Sequence, residues 1–178
     1  MYTNIEKWLN KDGVILLRKI GIKEDQIVLD FGCGSGNYTI PAARIVGKKG
    51  KVYALDKDAN KIEQLTTRIK STDLQNIEII KTSGELIFEF DNIRFDAVLF
   101  YDIFWYFSLN SPELSKLLKK IYQILDSGAL VSVYPEHIER EKLLEKIEDS
   151  GFTLERRFSE QVLHDGSRKG GQIINFRR

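Results

Sequence analysis

The stretch VLDFGCGSGNYTIPAARI, Val28 to Ile45, decides the fold of this chain. Val28 and Leu29, with Ile27 before them, end a short apolar strand. Asp30 follows, and Gly32, Gly34 and Gly36 punctuate a tight loop. Beyond the loop Ile40, Ala43 and Ile45 take a spacing nearer to helical than to alternating. Pro41 falls at or just past the first helical turn, where a missing N–H costs least. Strand, glycine loop and helix in that order let a ligand press against backbone.

The same alternation runs along the chain. An N-terminal helical region occupies about residues 1–22, with a helix from about Asn4 to Ile20 and a break expected at Gly13. Ile27 to Phe31 is the first strand, and Tyr38 to Val46 the helix after it, ended by GKKG. Lys51 to Leu55 is the second strand, and Asp58 caps a helix whose apolar face is Ile62, Leu65 and Ile69. Ile77 to Ile80 and Phe95 to Tyr101 are the third and fourth strands, the fourth apolar on both faces as buried parallel strands are. Ser111 and Pro112 start a helix with Leu114, Leu117, Leu118, Ile121 and Leu125 on one stripe, and Gly128 is expected to stop it. Ala129 to Tyr134 is the fifth strand, and a last helix covers about Ile138 to Asp149. FTLERRFSEQVL and QIINF then follow each other across HDGSRKGG with no room for a helix, so they form a hairpin and are antiparallel. The expected fold is α/β: a Rossmann-like, doubly wound seven-stranded sheet, parallel except for an antiparallel C-terminal strand.

Composition narrows the function classes. The 178 residues suit one domain over 1–178, and 42% hydrophobic content with a formal net charge of +1 argues against disorder and against a strongly charged partner. No apolar run reaches the roughly 20 residues of a membrane span, and MYTNIEKWLNKDG has no signal-peptide layout. A cytoplasmic protein is expected. Cys33 is the single cysteine, which excludes an internal disulfide and a cysteine-rich metal site.

The dinucleotide fingerprint G-x-G-x-x-G fits Gly32 and Gly34, but its third position is Asn37, with glycine one residue early at Gly36. VLDFGCGSG instead resembles the loop of class I S-adenosylmethionine-dependent methyltransferases, an acid at a strand end followed by G-x-G-x-G. Within that family the chain is most similar to small single-domain enzymes related to ubiquinone and menaquinone biosynthesis methyltransferases. ILDSGAL looks like the family's L-K-P-G-G turn, with Asp126, Ser127 and Ala129 as departures. The resemblance implies S-adenosylmethionine as cofactor, S-adenosylhomocysteine as product, and a cofactor site made by Asp30, Gly32, Gly34, Gly36 and Asp56. Asp30 would offset positive charge or hold the loop, and Asp56 would hold two ribose hydroxyls side by side. Where the family often has G-D after the third strand, this chain has Ser83 and then Gly84, so the adenine contact would be a hydroxyl or backbone group. Lys57 stands where an apolar residue often flanks adenine, and its stem can cover the ring. Tyr101 and Asp102 stand where the family lines the cofactor's amino acid end.

The acceptor is expected beyond the fourth and fifth strands, at the topological switch point. FYDIFWYF supplies Trp105 and Tyr106 as an aromatic wall, with Tyr134 closing the fifth strand, while Phe100 and Phe104 read as core. His137 is the first candidate for a general base and Asp102 the second, with His164 expected in a solvated hairpin turn. FYDIF is not the N-P-P-Y or D-P-P-Y signature of exocyclic adenine methylation, and no cysteine stands where a cytosine carbon methyltransferase needs its nucleophile. The expected partner is a small-molecule acceptor. RNA is the rival, on basic clusters that include Lys48, Lys49 and Lys51, Arg156 and Arg157, Arg168 and Lys169, and Arg177 and Arg178, but acids balance them and nucleic acid is disfavoured. A nicotinamide oxidoreductase, disfavoured by the position of Gly36, and a non-catalytic cofactor-binding module complete the range of functions this loop could serve.

Overall fold

Ile27–Phe31, β1, is apolar but for Asp30 and buried on both faces, as a strand inside a sheet covered on both sides must be. The computed structural model, which describes residues 3–83, 90 and 92–178, places it there. β1 pairs in parallel with β2 (Lys51–Asp56) on one side and with β4 (Phe95–Tyr101) on the other. β3 (Ile77–Lys81) extends the sheet beyond β2, and β5 (Leu125–Tyr134) beyond β4. β7 (Ser167–Arg177) then inserts between β5 and β6 (Thr153–His164), antiparallel to both, so the order is β3-β2-β1-β4-β5-β7-β6. The sheet has the expected topology, and β7 is the one strand that runs against the rest.

Alternate strand residues divide two cores. Val28, Val52 and Ala97 pack with the helices α2 (Gly13–Ile20), α3 (Thr39–Val46) and α4 (Ala59–Lys70), which follow the N-terminal turn α1 (Asn4–Lys7). Leu29, Tyr53 and Val98 pack on the other face with α5 (Pro112–Ile124) and α6 (Arg140–Glu148). Helix starts follow their side chains. The Asp58 carboxylate accepts from the N–H groups of Asn60 and Lys61, and Ser111 Oγ accepts from Leu114 N–H with Pro112 next to it. No helix of the described residues is long and apolar enough to cross a membrane.

Three local expectations are corrected. Gly13 does not break the N-terminal helix. A π-helical turn, Trp8–Asp12, leads into it with ordinary helical angles, and Gly13 is there because a Cβ would lie 2.9 Å from both Pro41 Cγ and Trp8 Nε1. Gly128 does not stop α5, which ends at Ile124. It lies instead in an irregular start of β5, where the register against β4 jumps from Phe95↔Leu125 to Ala97↔Leu130 and Gly128 N–H donates to Arg178 O. The hairpin turn is not the eight residues HDGSRKGG. His164 pairs with Ser167, and Asp165 and Gly166 alone turn the chain, both with positive φ (47° and 73°), which matches a two-residue turn to the strand twist.

Gly13→Ala tests the close approach. Helix propensity alone favours alanine by about 1 kcal/mol, whereas forcing a methyl between Trp8 and Pro41 costs about 1–3 kcal/mol. The expected outcome is a lower midpoint in thermal or urea unfolding. A raised midpoint would show that the two rings move aside freely.

Candidate active site

Strands that diverge from a shared neighbour leave a gap between their C-terminal loops. Here the loops after β1 and β4 border a cavity of about 510 Å³, completed by the end of β2 and the tip of the β6–β7 hairpin. The three loop glycines serve three purposes. A Cβ on Gly32 would strike Ile103, and one on Gly36 would strike Leu65, so both are small to let side chains pack against the loop. Gly34 has a φ of 54°, lines the cavity, and a Cβ there would meet no atom within 4 Å.

The loop is pinned to β2. Gly32 and Cys33 donate their N–H groups to Leu55 O at 2.8 and 3.0 Å. Asp56 accepts from Gly34 N–H through Oδ2 at 2.6 Å and from Asp58 N–H through Oδ1 at 2.9 Å. Arg68, on α4, donates to Ser35 O and Asn37 Oδ1 at 2.8 and 2.9 Å and braces the far side of the loop. Burial pushes the Cys33 thiol up, so it stays protonated and packs.

Of the residues assigned to the site from sequence, Gly32, Gly34, Asp56, Lys57, Tyr101, Asp102 and Tyr106 line the cavity. Asp30 does not. It is buried beneath the loop, where Oδ2 accepts from Thr39 Oγ1 at 2.6 Å and ties the end of β1 to the start of α3. Gly36 lies outside the lining for the packing reason just given. Ser83 is exposed and off the cavity, and its neighbour Thr82 takes that place, its N–H bonded to Asp56 O at 3.0 Å. Gly84 lies outside the described residues.

On the β4 side, Tyr101 is buried with its hydroxyl 2.9 Å from Ser132 Oγ, and its ring lies edge-on to Tyr38. Tyr106 is 59% exposed, with Lys57 Nζ 4.8 Å from its ring centre. Trp105 stacks on Tyr106 at 3.9 Å and donates to Asp102 O, but does not itself line the cavity. Tyr134 is buried behind the lining, its hydroxyl donating to Glu136 Oε2 at 2.6 Å. Phe100 and Phe104 are core.

The two histidines exchange roles. His137 is exposed and lies off the cavity, while His164, expected in solvent, lines it with a side chain only 10% exposed. His164 Nδ1 contacts Asp102 Oδ2, and its Nε2 lies 3.2 Å from His137 Nε2. Burial raises the Asp102 carboxyl, and the hydrogen bond and charge of His164 partly offset this. The missed signal was the Asp-Gly pair at 165–166, which marks a two-residue turn and puts His164 at the end of a strand rather than in a loop.

A family model described as a methyltransferase domain matches residues 28–128, which carry the glycine loop, Asp56 and β4. The chain belongs to this family. It is 31% identical over 121 residues to a probable cobalt-precorrin-6B C(15)-methyltransferase (decarboxylating) of Saccharolobus solfataricus, covering 67% of this chain and 57% of that protein. It is 29% identical over 125 residues to a demethylmenaquinone methyltransferase of Geobacillus stearothermophilus, covering 70% of this chain and 49% of that protein. The chain thus spans about half the length of these curated relatives. Among solved structures, a SAM-dependent methyltransferase from Aquifex aeolicus superposes with a TM-score of 0.72 at 21% identity, covering 96% of this chain and 91% of the other. The cofactor indicated by the family is S-adenosylmethionine.

Asp30 gives this methyltransferase domain a pH dependence. Burial raises its carboxyl from 3.8 to about 7, against the pull of the Thr39 hydrogen bond. A carboxyl raised in the folded state holds its proton more tightly there, so its contribution to stability is complete below about pH 4 and is lost as pH rises towards 7. Asp30→Asn keeps an acceptor for Thr39 without the charge. The variant should gain on the wild type between about pH 5 and pH 8 by on the order of 1–4 kcal/mol, read from urea unfolding at both values. Parallel pH profiles would remove Asp30 as the source.

Proposed function

We propose that the protein binds S-adenosylmethionine across the ends of β1 and β2 and transfers its methyl group to a small-molecule acceptor held against the β4 loop and the hairpin tip. The observation that carries this is Gly34. Of the three loop glycines, Gly32 and Gly36 are small for packing, while the free space beside Gly34 belongs to the cavity. Backbone bordered by such space lets the amino acid end of a ligand approach closely.

Asp56 suits the ribose. Each carboxylate oxygen has about two acceptor sites, and each already accepts one backbone N–H, from Gly34 or from Asp58. The remaining lone pairs are available to a pair of hydroxyls, and the bonds already made fix the carboxylate in place. Bound S-adenosylmethionine supplies an electrophilic methyl group on a sulfonium. The positive charge on sulfur disappears in an in-line displacement, so the chain's main tasks are alignment and exclusion of water. Ile103, Tyr106 and Phe107 line the acceptor side with apolar surface suited to a flat acceptor. Asp102 and His164 are its polar groups, and an acceptor that must lose a proton loses it towards them.

The surface supports a small acceptor over RNA. Most of the basic clusters are neutralised within the fold. Lys49 lies 3.9 Å from Asp25, Arg157 3.5 Å from Glu141, Lys169 2.7 Å from Glu136 and Arg177 3.0 Å from Glu155, while Lys51 pairs with Glu78 and Arg168 with Asp12. Cations already facing carboxylates release few counterions on binding a phosphate backbone.

Calorimetric titration should show binding of S-adenosylmethionine and S-adenosylhomocysteine and none of NADH. Gly34→Val should weaken cofactor binding by about 100-fold or more, roughly 2.8 kcal/mol, with a stability loss of about 1–3 kcal/mol from its backbone angle. Gly128→Val is the matched control, since Gly128 also has a positive φ (76°) and open surroundings but lies off the cavity. It should lose stability and keep binding. Equal binding by both variants would take the cofactor out of this loop. Asp56→Ala should cost cofactor affinity roughly 1.5–3 kcal/mol, with a smaller loss of stability as Gly34 N–H loses its partner.

A further inference from the structure

The acceptor side of the cavity holds a cluster that methyl transfer by itself does not require. His164 Nδ1 contacts Asp102 Oδ2, and His164 Nε2 lies 3.2 Å from His137 Nε2 and 3.2 Å from Asp165 Oδ2. An imidazole that donates to Asp102 through Nδ1 presents a lone pair at Nε2 when neutral. That lone pair faces a carboxylate and the nitrogen of a second imidazole. A cation between the two facing imidazole nitrogens would be shared by both.

Nitrogen ligands each about 2.0–2.1 Å from a tetrahedral zinc lie about 3.3 Å from one another, and the two facing imidazole Nε2 atoms are 3.2 Å apart. Asp102 adds a second mark. A carboxylate on the far nitrogen of a ligating histidine fixes the tautomer and raises ligand basicity. Its other oxygen, Oδ1, is buried with no hydrogen-bond partner, and ligand atoms of Asp102, His137 and His164 all lie within 4.8 Å of one another.

We propose that His137 and His164, through their facing Nε2 atoms, bind a divalent transition-metal ion of the zinc and cobalt class, with Asp102 holding His164 in the ligating tautomer. Two imidazole ligands leave coordination positions open. One would be taken by an oxygen of the acceptor, a phenol, enol or alcohol made more acidic by the metal. That last role rests on the transfer reaction proposed above, whereas the metal site stands on the imidazole geometry alone.

Metal-free protein is titrated with Co²⁺ without cofactor, following the visible absorption of the bound ion, and Zn²⁺ is then added. The expected result is saturation at one equivalent and displacement by zinc. His137→Ala, or His137→Asn, which suits its left-handed backbone angle better, should weaken binding at least tenfold, and Asp102→Asn by about 10–100-fold. Absence of a saturable band, or wild-type affinity in His137→Ala, overturns the proposal. Protein that binds S-adenosylmethionine and no cobalt loses the metal site alone. Protein that binds cobalt and no S-adenosylmethionine keeps the metal site and loses the transfer reaction.

Discussion

The parallel pairing of β1 with β2 on one side and β4 on the other is the constraint from which the cavity follows. A strand with neighbours on both sides has no edge, so its outgoing chain must turn over one face of the sheet. The chain leaving β1 goes through α3 to β2, while β4 arrives on the opposite side. Their C-terminal loops are therefore pulled apart, and the space between them is a product of topology before any ligand is considered. What local chemistry adds is rigidity. Three N–H groups of the glycine loop are bound to the last two residues of β2, and Arg68 reaches across from α4 to hold the other side. The floor of the cavity is therefore held in shape by neighbouring elements rather than by loop propensity.

Charge is placed with the same regard for surroundings. Asp30 and Asp56 look alike in sequence, an acid closing a parallel strand, yet they sit in opposite environments. Asp30 is sealed under the loop against Thr39, and burial drives its carboxyl towards neutrality. Asp56 is partly exposed at the cavity edge and receives two backbone N–H groups. One acid joins a strand to a helix, and the other organises a loop and faces outward.

The fold was legible because its signals are periodic and local: apolar strands of five to seven residues, helix caps at Asp58 and Ser111, and glycines between them. The β1–β2 side of the cavity was legible for the same reason, since Gly34 and Asp56 follow strands that sequence can locate. Gly13 was not, because what makes it glycine is Pro41, 28 positions away, pressing on Trp8. His164 was not, because its partner Asp102 is 62 residues distant and only the antiparallel return of β7 carries it there. Ser83 and Thr82 illustrate the limit within a single loop. A shift of one residue exchanges cavity for solvent, and no periodicity in KTSG chooses between them.

The insertion of β7 between β5 and β6 has a consequence for how the molecule comes into being. Strand order in space and strand order in time disagree here, because the strand made after the other six is the one that joins two of them. Until Ile174 and Phe176 emerge, β5 exposes a bare edge and β6 has no partner in the sheet. A nascent chain can complete β1 to β5 with their helices, but the wall bearing His164 waits for pairings more than 40 residues apart in sequence, such as Val131 with Phe176. Contacts of that span are slow to form. The ribosome thus delivers the β1–β2 side of the cavity first and the wall bearing His164 last, so an unfinished chain is a half-built vessel, open on one side.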